Sequence, residues 1–431
     1  VYNNNGVSVG GIDPTATQIA SVPAPFFKPD PYNQYSSTDF GISLANSKGQ
    51  VDLMAKEFKL PKIFRTSLAV DKQLGKGWTV TVEGLFTKNL QEIYYQNVNI
   101  LPPTMTSVGP GSRNVYSFSG TPGNIPLRSS GINPYTGIYL LYNNPGKKGY
   151  SYNISASIDK AFRDGWAFNA NWVYGNSIVN NETTSSQNNS QWNTMETVQG
   201  RNFVVRSTSD FDLGHRISAY VSKKFSYLQN KMATTISLVY NGQQGAPFSY
   251  IYSNSMIGDN GRSAFGDLIY VPTSSEIQSM AFLSNTVSGV TYTQADQRQM
   301  LEDYIAGNKY LNKRRGQFAE RNGSRLPFTH VIDLQVQQDF NIKLGGKTYT
   351  VQVSYNVSNF TNMLNRNWGK TYFLNFDQYS LIQFAGYVSA SNLTPQYRFN
   401  PQTGTPWGLS TSSVPGLSAR YISQLGLRIN F

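Results

Sequence analysis

The chain contains no cysteine and only two histidines among its 431 residues. Without cysteine it can form no disulfide, iron–sulfur cluster or thiolate metal site. Two histidines also leave little room for a metal site built on imidazole ligands. We therefore expect no metal ion and no cofactor.

Charge and long apolar runs are scarce as well. Charged residues make up 14% of the chain, against roughly 25% in soluble domains. No run approaches the roughly 18 apolar residues of a transmembrane helix, which excludes a helical inner-membrane protein but leaves a β-barrel open. The net charge is +12, but the basic residues are scattered along the chain. Their densest cluster, at 309–325, is interpreted as a basic extracellular loop. We expect no nucleic-acid partner.

Tyrosine and phenylalanine are abundant, with 28 and 24 copies, and apolar residues recur at every second position. Val351, Val353 and Tyr355, for example, alternate with Gln352 and Ser354. The same period recurs at 78–83, 150–159, 166–174, 216–222, 232–241 and 332–337. This alternation predicts β-strands with one apolar and one polar face.

The lengths of the connections separate a barrel from a soluble sandwich. Short links that carry glycine or polar residues are found at 75–77, 163–165, 226–231 and 344–346. Long polar segments lie between these hairpins, at roughly 101–149, 179–210, 253–327 and 360–417. Because short and long connections alternate strictly, all short turns lie at one end of a meander and all long connections at the other. Outer-membrane barrels have this asymmetry, with short periplasmic turns and long extracellular loops.

The predicted fold class is all-β, a transmembrane antiparallel up-and-down β-barrel. About nine or ten strands are expected, with residues 63–431 forming strands and long extracellular loops. Residues 1–62 contain several prolines and are predicted to be mostly extracellular loop with at most one strand. The segment 294–311 has a weak helical pattern and is predicted to be a short helix within an extracellular loop.

Aromatic residues lie next to the short turns, at Trp78, Trp166, Phe225, Tyr227 and Phe340. Outer-membrane barrels carry aromatic girdles at both membrane interfaces. We therefore predict that these five residues form the periplasmic girdle. The alternative is that tryptophan and phenylalanine favour strand ends in any β protein.

The last residues form the sharpest local motif. Apolar residues at odd-numbered positions alternate here with polar or small residues; they are Tyr421, Leu425, Leu427, Ile429 and Phe431. A final lipid-facing strand that ends in phenylalanine resembles the signal recognised by the barrel-assembly machinery. The alternative is the edge strand of a soluble sheet.

Several stretches resemble Oar-like (SusC-related) TonB-dependent receptors and together span most of the chain. They are 58–71, 82–98, 149–162, 209–217, 310–327 and 364–369. The most specific of them, SDFDLGHRI and KRRGQFAERNG, contribute the motif residues Asp210, Asp212, His215, Arg216, Arg314, Arg315, Glu320 and Arg321.

The resemblance implies a 22-stranded barrel in the outer membrane of a Gram-negative bacterium, with an N-terminal plug and a TonB box. No plug or TonB box precedes residue 1, so we expect the C-terminal part of such a barrel. The implied function is energised uptake of an unidentified substrate. The implied partners are outer-membrane lipid and lipopolysaccharide, the barrel-assembly machinery, and TonB through the missing N-terminal part. A surface lipoprotein or envelope-complex partner is left open.

Two other functions are compatible with the sequence. A plugged barrel can act as a surface receptor, adhesion factor or scaffold in a larger envelope complex. A secreted all-β lectin is the weaker alternative, and it would be soluble without detergent.

No catalytic arrangement is found, so the chain is not expected to be an enzyme. Asp210, Asp212 and His215 suggest a relay but lack a placed nucleophile, and we favour a motif that hydrogen-bonds the barrel rim where a strand begins.

A calcium site is the other arrangement considered. Asp259, Asn260 and Asp267 offer oxygen ligands of the kind that Ca²⁺ prefers. Their spacing does not fit an EF-hand, and three glycines lie beside them. We therefore favour turn formation over metal binding for this segment.

Overall fold

The computed structural model of the chain describes residues 50–117, 135, 137–203, 205–259, 266–402, 404–409 and 419–430. The strands are β1 (Gln50–Met54), β2 (Lys62–Gly75), β3 (Trp78–Gln91), β4 (Ile93–Asn97), β5 (Met105–Thr106), β6 (Asn114–Val115), β7 (Gly137–Asn143), β8 (Tyr150–Arg163), β9 (Trp166–Val179), β10 (Ser207–Thr208), β11 (Gly214–Tyr227), β12 (Met232–Gln243), β13 (Pro247–Tyr252), β14 (Tyr270–Val271), β15 (Ala281–Phe282), β16 (Asn285–Val287), β17 (Val290–Tyr292), β18 (Gln317–Phe318), β19 (Ser324–Arg325), β20 (Thr329–Leu344), β21 (Lys347–Ser358), β22 (Tyr372–Phe373), β23 (Gln378–Ser389), β24 (Asn392–Arg398), β25 (Gly408–Leu409) and β26 (Ile422–Asn430).

Helices are few and short. They are α1 (Asn188–Asn193), α2 (Ser274–Ser279), α3 (Gln294–Gly307), α4 (Lys309–Lys313) and α5 (Phe360–Leu364), with a 3-10 turn at Asn375–Asp377. Among the described residues, no helix has both the length and the apolar character needed to cross a membrane.

Nine long strands form one sheet, which we call the main sheet. Its order is β2-β3-β8-β9-β11-β12-β20-β21-β26, with the short β10 paired to β9. Every pair in it is antiparallel. Each strand therefore pairs with the next strand of the same sheet along the chain, which confirms the predicted meander of nine strands. Within the described residues β2 and β26 pair on one side only, so the sheet is not closed.

Two-residue turns close three of the four hairpins. Asp164 and Gly165 have φ of 56° and 76°, and Gly345 and Gly346 have φ of 55° and 80°. Positive φ at both central residues is the signature of a type I′ turn, whose twist matches that of the flanking strands. The turn residues read from the sequence therefore set the register of these hairpins.

The register of the main sheet gathers apolar residues on one face. Leu238 pairs with Val221 on one side and Leu334 on the other, and Val353 pairs with Leu427. Directly paired residues of an antiparallel sheet point to the same side. The apolar parity predicted for single strands therefore forms one continuous surface.

The opposite face of the main sheet is polar and internally hydrogen-bonded. The Ser237 hydroxyl donates to Ser222 Oγ at 2.8 Å. Gln352 Nε2 donates to Asp339 Oδ1 at 2.8 Å. These hydrogen bonds satisfy polar side chains, which would find no partners on the apolar face.

The four long connections all leave the same end of the main sheet. The described parts of 92–149, 180–213, 244–328 and 359–421, which we call the loop layer, fold into elements of their own. They include a five-stranded sheet of order β15-β24-β23-β13-β19, and β4 and β7 form a three-stranded sheet with β1. The segments predicted as long loops therefore carry secondary structure.

The buried core lies in the loop layer and not in the main sheet. Phe248, Ile277, Leu301, Leu311 and Ile382 are fully buried there. A smaller cluster surrounds Trp192. No residue of either cluster comes from the nine long strands, so the hydrophobic effect stabilises the loop layer from within.

The predicted helix at 294–311 is confirmed as α3 followed by α4. Thr293 begins α3 with a capping box, in which its side chain accepts from the Asp296 amide and the Asp296 carboxylate accepts from the Thr293 amide. Leu301 and Ile305 are the apolar residues that α3 buries. The helix therefore packs its apolar stripe into the loop-layer core.

Of residues 1–62, the structure describes 50–62. This part holds β1, which pairs with β7 in parallel, and the first residue of β2. Residues 1–49 and their prolines lie outside the described residues.

Candidate functional site

A cavity opens at the end of the main sheet where the loop layer begins. Its volume is about 450 Å³, within the roughly 300–1,000 Å³ range of small-molecule sites. Glu182 follows β9 and Asp210 precedes β11, so two neighbouring strands bring these carboxylates together. The lining also includes Asn193, Glu196, Arg321, Phe376, Asp377 and Gln378.

The Glu182 carboxylate is held by the residues that precede β11. The Asp210 amide donates to Glu182 Oε1 at 2.8 Å, and the Ser209 hydroxyl donates to Glu182 Oε2 at 2.9 Å. Asp210 is in turn fixed by Asn322, whose Nδ2 donates to Asp210 Oδ1 at 2.6 Å. These bonds place two carboxylates side by side at the cavity.

Arg321 is buried beneath the cavity, with 4% of its surface exposed. Its Nη1 donates to the Asn180 carbonyl at 2.9 Å and its Nη2 to the Val179 carbonyl at 2.8 Å. The guanidinium thus binds backbone groups at the end of β9. Asp210 and Arg321, which belong to two separate receptor-like stretches, therefore meet at one cavity.

Three carboxyls of the cavity have raised pKa values. Burial is the main cause for Glu182, and the nearby Asp210 charge adds to the rise in its pKa. Burial raises the pKa of Glu196, which accepts a hydrogen bond from Gln378 Nε2 at 2.8 Å. Burial and then Asp210 raise the pKa of Asp377 to about 6.

Asp212 joins the main sheet to the loop layer. It forms an ion pair with Arg325, and its Oδ2 accepts from the Ser177 amide at 2.5 Å. Its Oδ1 also accepts from the Gly214 amide at 3.1 Å. Asp212 thus fixes the start of β11 against β9.

The other two motif residues of the SDFDLGHRI stretch, His215 and Arg216, lie outside the cavity, as Asp212 does. The His215 ring packs between those of Trp172 and Tyr174, with centroids at 5.9 and 4.6 Å, and His215 Nδ1 accepts from Trp172 Nε1 at 3.2 Å. Arg216 is exposed on β11 and pairs with Gln243 on β12. The Asp212 oxygens bind other donors, so no Asp–His relay is present at this site.

The remaining motif residues form ion pairs within the loop layer. Arg314 Nη1 lies 2.9 Å from Glu320 Oε1. Arg315 binds both oxygens of Glu302, at 2.7 and 3.1 Å. These residues do not line the cavity, and their contacts stabilise the segment that carries Arg321.

The candidate calcium ligands face an arginine instead. Asp259 forms an ion pair with the fully buried Arg201, and Asp267 Oδ1 lies 3.8 Å from the same guanidinium. Burial raises the pKa of Asp267, and the Arg201 charge opposes that rise. Asn260 lies outside the described residues. No group of three carboxylates, histidines or cysteines that could hold a metal occurs in the part of the chain that the structure describes.

The predicted girdle residues all lie on the apolar face of the main sheet, at the end that carries the short turns. The Trp78 and Phe168 rings lie 5.9 Å apart. Lys223 Nζ lies 4.6 Å from the Trp166 ring centroid and 5.7 Å from that of Phe225. Tyr227 donates to Gln338 Oε1 at 2.8 Å, and Phe340 pairs with Met232 and Val351. A lysine beside aromatic rings suits a membrane–water interface.

The predicted assembly signal lies on the last strand of the main sheet. Leu425, Leu427 and Ile429 pair with Tyr355, Val353 and Val351 on the apolar face. Tyr421 is half-exposed and precedes this strand. Phe431 lies outside the described residues.

Sequence reasoning missed Glu182, Asn193, Glu196 and Asp377. None belongs to a recognisable motif, and they lie on different connections of the chain. The Gln378–Glu196 hydrogen bond joins residues that are 182 positions apart. Only folding of the loop layer brings these residues to Asp210 and Arg321.

Comparison with known proteins gives a family match. A family model described as "Outer membrane beta barrel domain" matches residues 2–382. The matched range takes in the main sheet from β2 to β21 and most of the loop layer. No curated protein and no solved structure matches the chain.

Proposed function

The chain belongs to the outer membrane beta barrel domain family, and from that premise we propose that it acts in a TonB-dependent receptor that takes up a substrate with energy from the inner membrane. The observation that carries this proposal is the cavity lined by Asp210 and Arg321. These residues come from the two stretches that most specifically resemble Oar-like receptors. A ligand-sized site where those stretches meet is what substrate capture requires.

The two faces of the main sheet fit a barrel wall in the outer membrane of a Gram-negative bacterium. The apolar face contacts lipid and lipopolysaccharide, and the polar face lines the lumen. Side chains such as Leu68 and Leu425, 76% and 74% exposed, then lie in hydrocarbon instead of water. Further strands must close such a barrel, because an open sheet edge in lipid leaves backbone groups unsatisfied.

The loop layer then faces outward, and TonB acts from the periplasmic side. The barrel-assembly machinery reads the last strand. The alternative is a plugged barrel that serves as a surface receptor, adhesion factor or scaffold with a surface lipoprotein or another envelope partner. In both cases the chain supplies binding and not chemistry.

Binding to TonB separates the two functions. The protein encoded by the full gene should be captured from detergent-solubilised outer membranes by the purified C-terminal domain of TonB from the same bacterium. Deletion of the segment of that protein that carries the TonB box should abolish capture and leave membrane association of the barrel measurable. Absence of capture from the intact protein, with recovery of an envelope complex instead, would support the scaffold.

Single cysteines test the orientation cleanly, because the chain has none of its own. Lys347→Cys lies at the short-turn end of the main sheet, and Val290→Cys lies at an exposed position of the loop layer. A membrane-impermeant maleimide should label Val290→Cys on intact cells, and Lys347→Cys only after permeabilisation. The reverse pattern would contradict the proposed orientation.

A further inference from the structure

The rim cavity is acidic in a chain whose net charge is +12. Glu182, Glu196, Asp210 and Asp377 all line it. Among the described residues, none of these four carboxylates forms an ion pair. Arg321, the cation that lies nearest, directs its terminal nitrogens to backbone carbonyls instead.

Neutral acceptors without a donor lie beside the carboxylates. The Asn193 side chain is 8% exposed and lines the cavity. Its Oδ1 accepts no hydrogen bond from any residue that the structure describes, and neither does Gln378 Oε1. A buried acceptor without a donor is unfavourable. Arg321 is the one cation among the lining residues, and its Nε has no hydrogen-bond partner among the described residues. The four carboxylates therefore outnumber the positive charge at the cavity.

An aromatic ring completes the lining. Phe376 is 81% exposed and has φ of 55°, a conformation that is unusual for a bulky residue. The next residue, Asp377, has φ of 51°. The turn thus presents a ring face and a carboxylate together, and both attract organic cations.

We infer that this cavity binds the cationic nitrogen of an organic ligand, an ammonium or guanidinium group whose N–H donors reach Asn193, Gln378 and the surrounding carboxylates. This inference rests on the proposed receptor function and names the class of substrate that the loop layer captures. A guanidinium or ammonium adds positive charge beside four carboxylates that share a cavity with a single arginine, and it carries several donors on one group. A metal ion is the less suitable occupant, because no group of three or more carboxylate, histidine or cysteine side chains that could hold one occurs in the described part of the chain.

The raised carboxyl pKa values agree with this ligand class. With the cavity empty, burial and mutual repulsion favour the protonated carboxyls. A bound cation favours their ionised form, so ligand binding and proton release are linked. Asp377, with a pKa of about 6, should lose its negative charge as the pH falls below that value. Because the Asp210 charge acts on Glu182, Glu196 and Asp377 alike, the carboxyls are coupled, and their protonation weakens cation binding together.

The test uses the full-length protein in detergent and two matched probes. Nα-acetyl-lysine amide carries one ammonium group, and Nα-acetyl-norleucine amide has a similar side chain without charge. Equilibrium dialysis at pH 7.5 should show saturable binding of the lysine probe and binding at least about tenfold weaker for the norleucine probe, since a hydrogen bond to a charged group contributes about 1.5–3 kcal/mol. Affinity for the lysine probe should fall between pH 7.5 and pH 5, where the probe itself stays protonated.

Asp377→Asn is the decisive variant, because asparagine keeps the shape of the side chain and tolerates the left-handed backbone. It should weaken binding of the lysine probe by about tenfold and flatten its pH dependence. Asp164→Asn is the matched control, since Asp164 also has positive φ, 56°, but lies in a short turn at the opposite end of the main sheet. This control should bind like the unmodified protein. Glu196→Gln provides a second loss of charge, and heat-dependent mobility on gels verifies barrel folding for each variant.

Two outcomes would overturn the inference. One is equal binding of the two probes, and the other is unchanged affinity in both Asp377→Asn and Glu196→Gln with the barrels folded. The peptide Gly-Lys-Gly identifies the source of the cation: tighter binding than the amino-acid probe supports a peptide side chain, and weaker binding supports a free small cation. TonB capture does not involve Asp377, so lost cation binding with retained capture would overturn this inference alone. Retained cation binding without TonB capture would overturn only the receptor function.

Discussion

The main sheet exposes its apolar residues, whereas the loop layer buries them. In the sheet, Leu68 and Leu425 remain 76% and 74% exposed, whereas Phe248 and Leu301 in the layer are fully buried. The sheet therefore requires a hydrocarbon environment for its apolar face. The layer builds its own core as a water-soluble domain does. One chain thus contains two regions stabilised by different surroundings.

The two regions also treat charge differently. The loop layer buries Arg201 between Asp259 and Asp267, and a buried ion pair must be satisfied on both sides. In the main sheet the exposed Asp164 pairs with Arg163 in a turn, where the contribution is small. Variants that act on one region and spare the other test this contrast.

The largest effect is expected for Phe248→Ala in the core of the loop layer. Removal of a fully buried phenylalanine leaves a cavity and destabilises the layer by about 3–5 kcal/mol. Limited proteolysis in bilayers should show faster cleavage within 244–328, with the main sheet still inserted. Phe376→Ala removes an exposed ring and should leave proteolysis unchanged. Simultaneous loss of insertion in Phe248→Ala would mean that the two regions fold as one unit.

Val353→Arg should act on the main sheet instead. Val353 lies on the apolar face opposite Leu427, and arginine there costs about 2–4 kcal/mol near the bilayer midplane. Gln352→Arg places the same residue on the polar face, next to Asp339, and should have little effect. Urea titration of folding into lipid vesicles measures both variants. Equal losses for the two would show that the assignment of the faces is wrong.

Asp212→Asn should weaken the joint between the two regions. The substitution keeps the side-chain shape but removes the charge that pairs with Arg325, a loss of about 1.5–3 kcal/mol. Hydrogen exchange should then accelerate at the start of β11 and at 320–325 together. Glu320→Gln disrupts the exposed pair with Arg314 and serves as the control, with about 0–1 kcal/mol expected. Faster exchange at only one of the two segments would contradict a coupling role.

Thr293→Ala should have the smallest effect. It removes the capping box of α3 and should destabilise that helix by about 1 kcal/mol. Exchange of the α3 amides should accelerate about fivefold, with the amides of the main sheet unaffected. Thr286→Ala, at an exposed hairpin contact with Thr291, is the matched control. Faster exchange in the main sheet would indicate that the layer and the sheet open together.

Much of the main sheet could be predicted from the sequence because its signals are local. Alternation between Val351 and Gln352 assigns the two faces, and residues such as Gly345 and Gly346 mark the turn. The helix at α3 was also predictable from its periodicity. The loop layer was not, because strands such as β13 and β23 pair in parallel across a long stretch of chain. Polar composition therefore suggested loops where buried aromatic residues form a core.

What the sequence determined by itself is the strand count, the two faces and the end at which each connection lies, since strand period and turn residues are set within a few neighbouring positions. The cavity was decided only by tertiary structure. The sequence singled out Asp210 and Arg321 but gave no sign of Glu196 or Asp377, which approach them from distant connections. Burial and mutual repulsion then change the properties of these carboxyls, and both depend on neighbours in space and not along the chain.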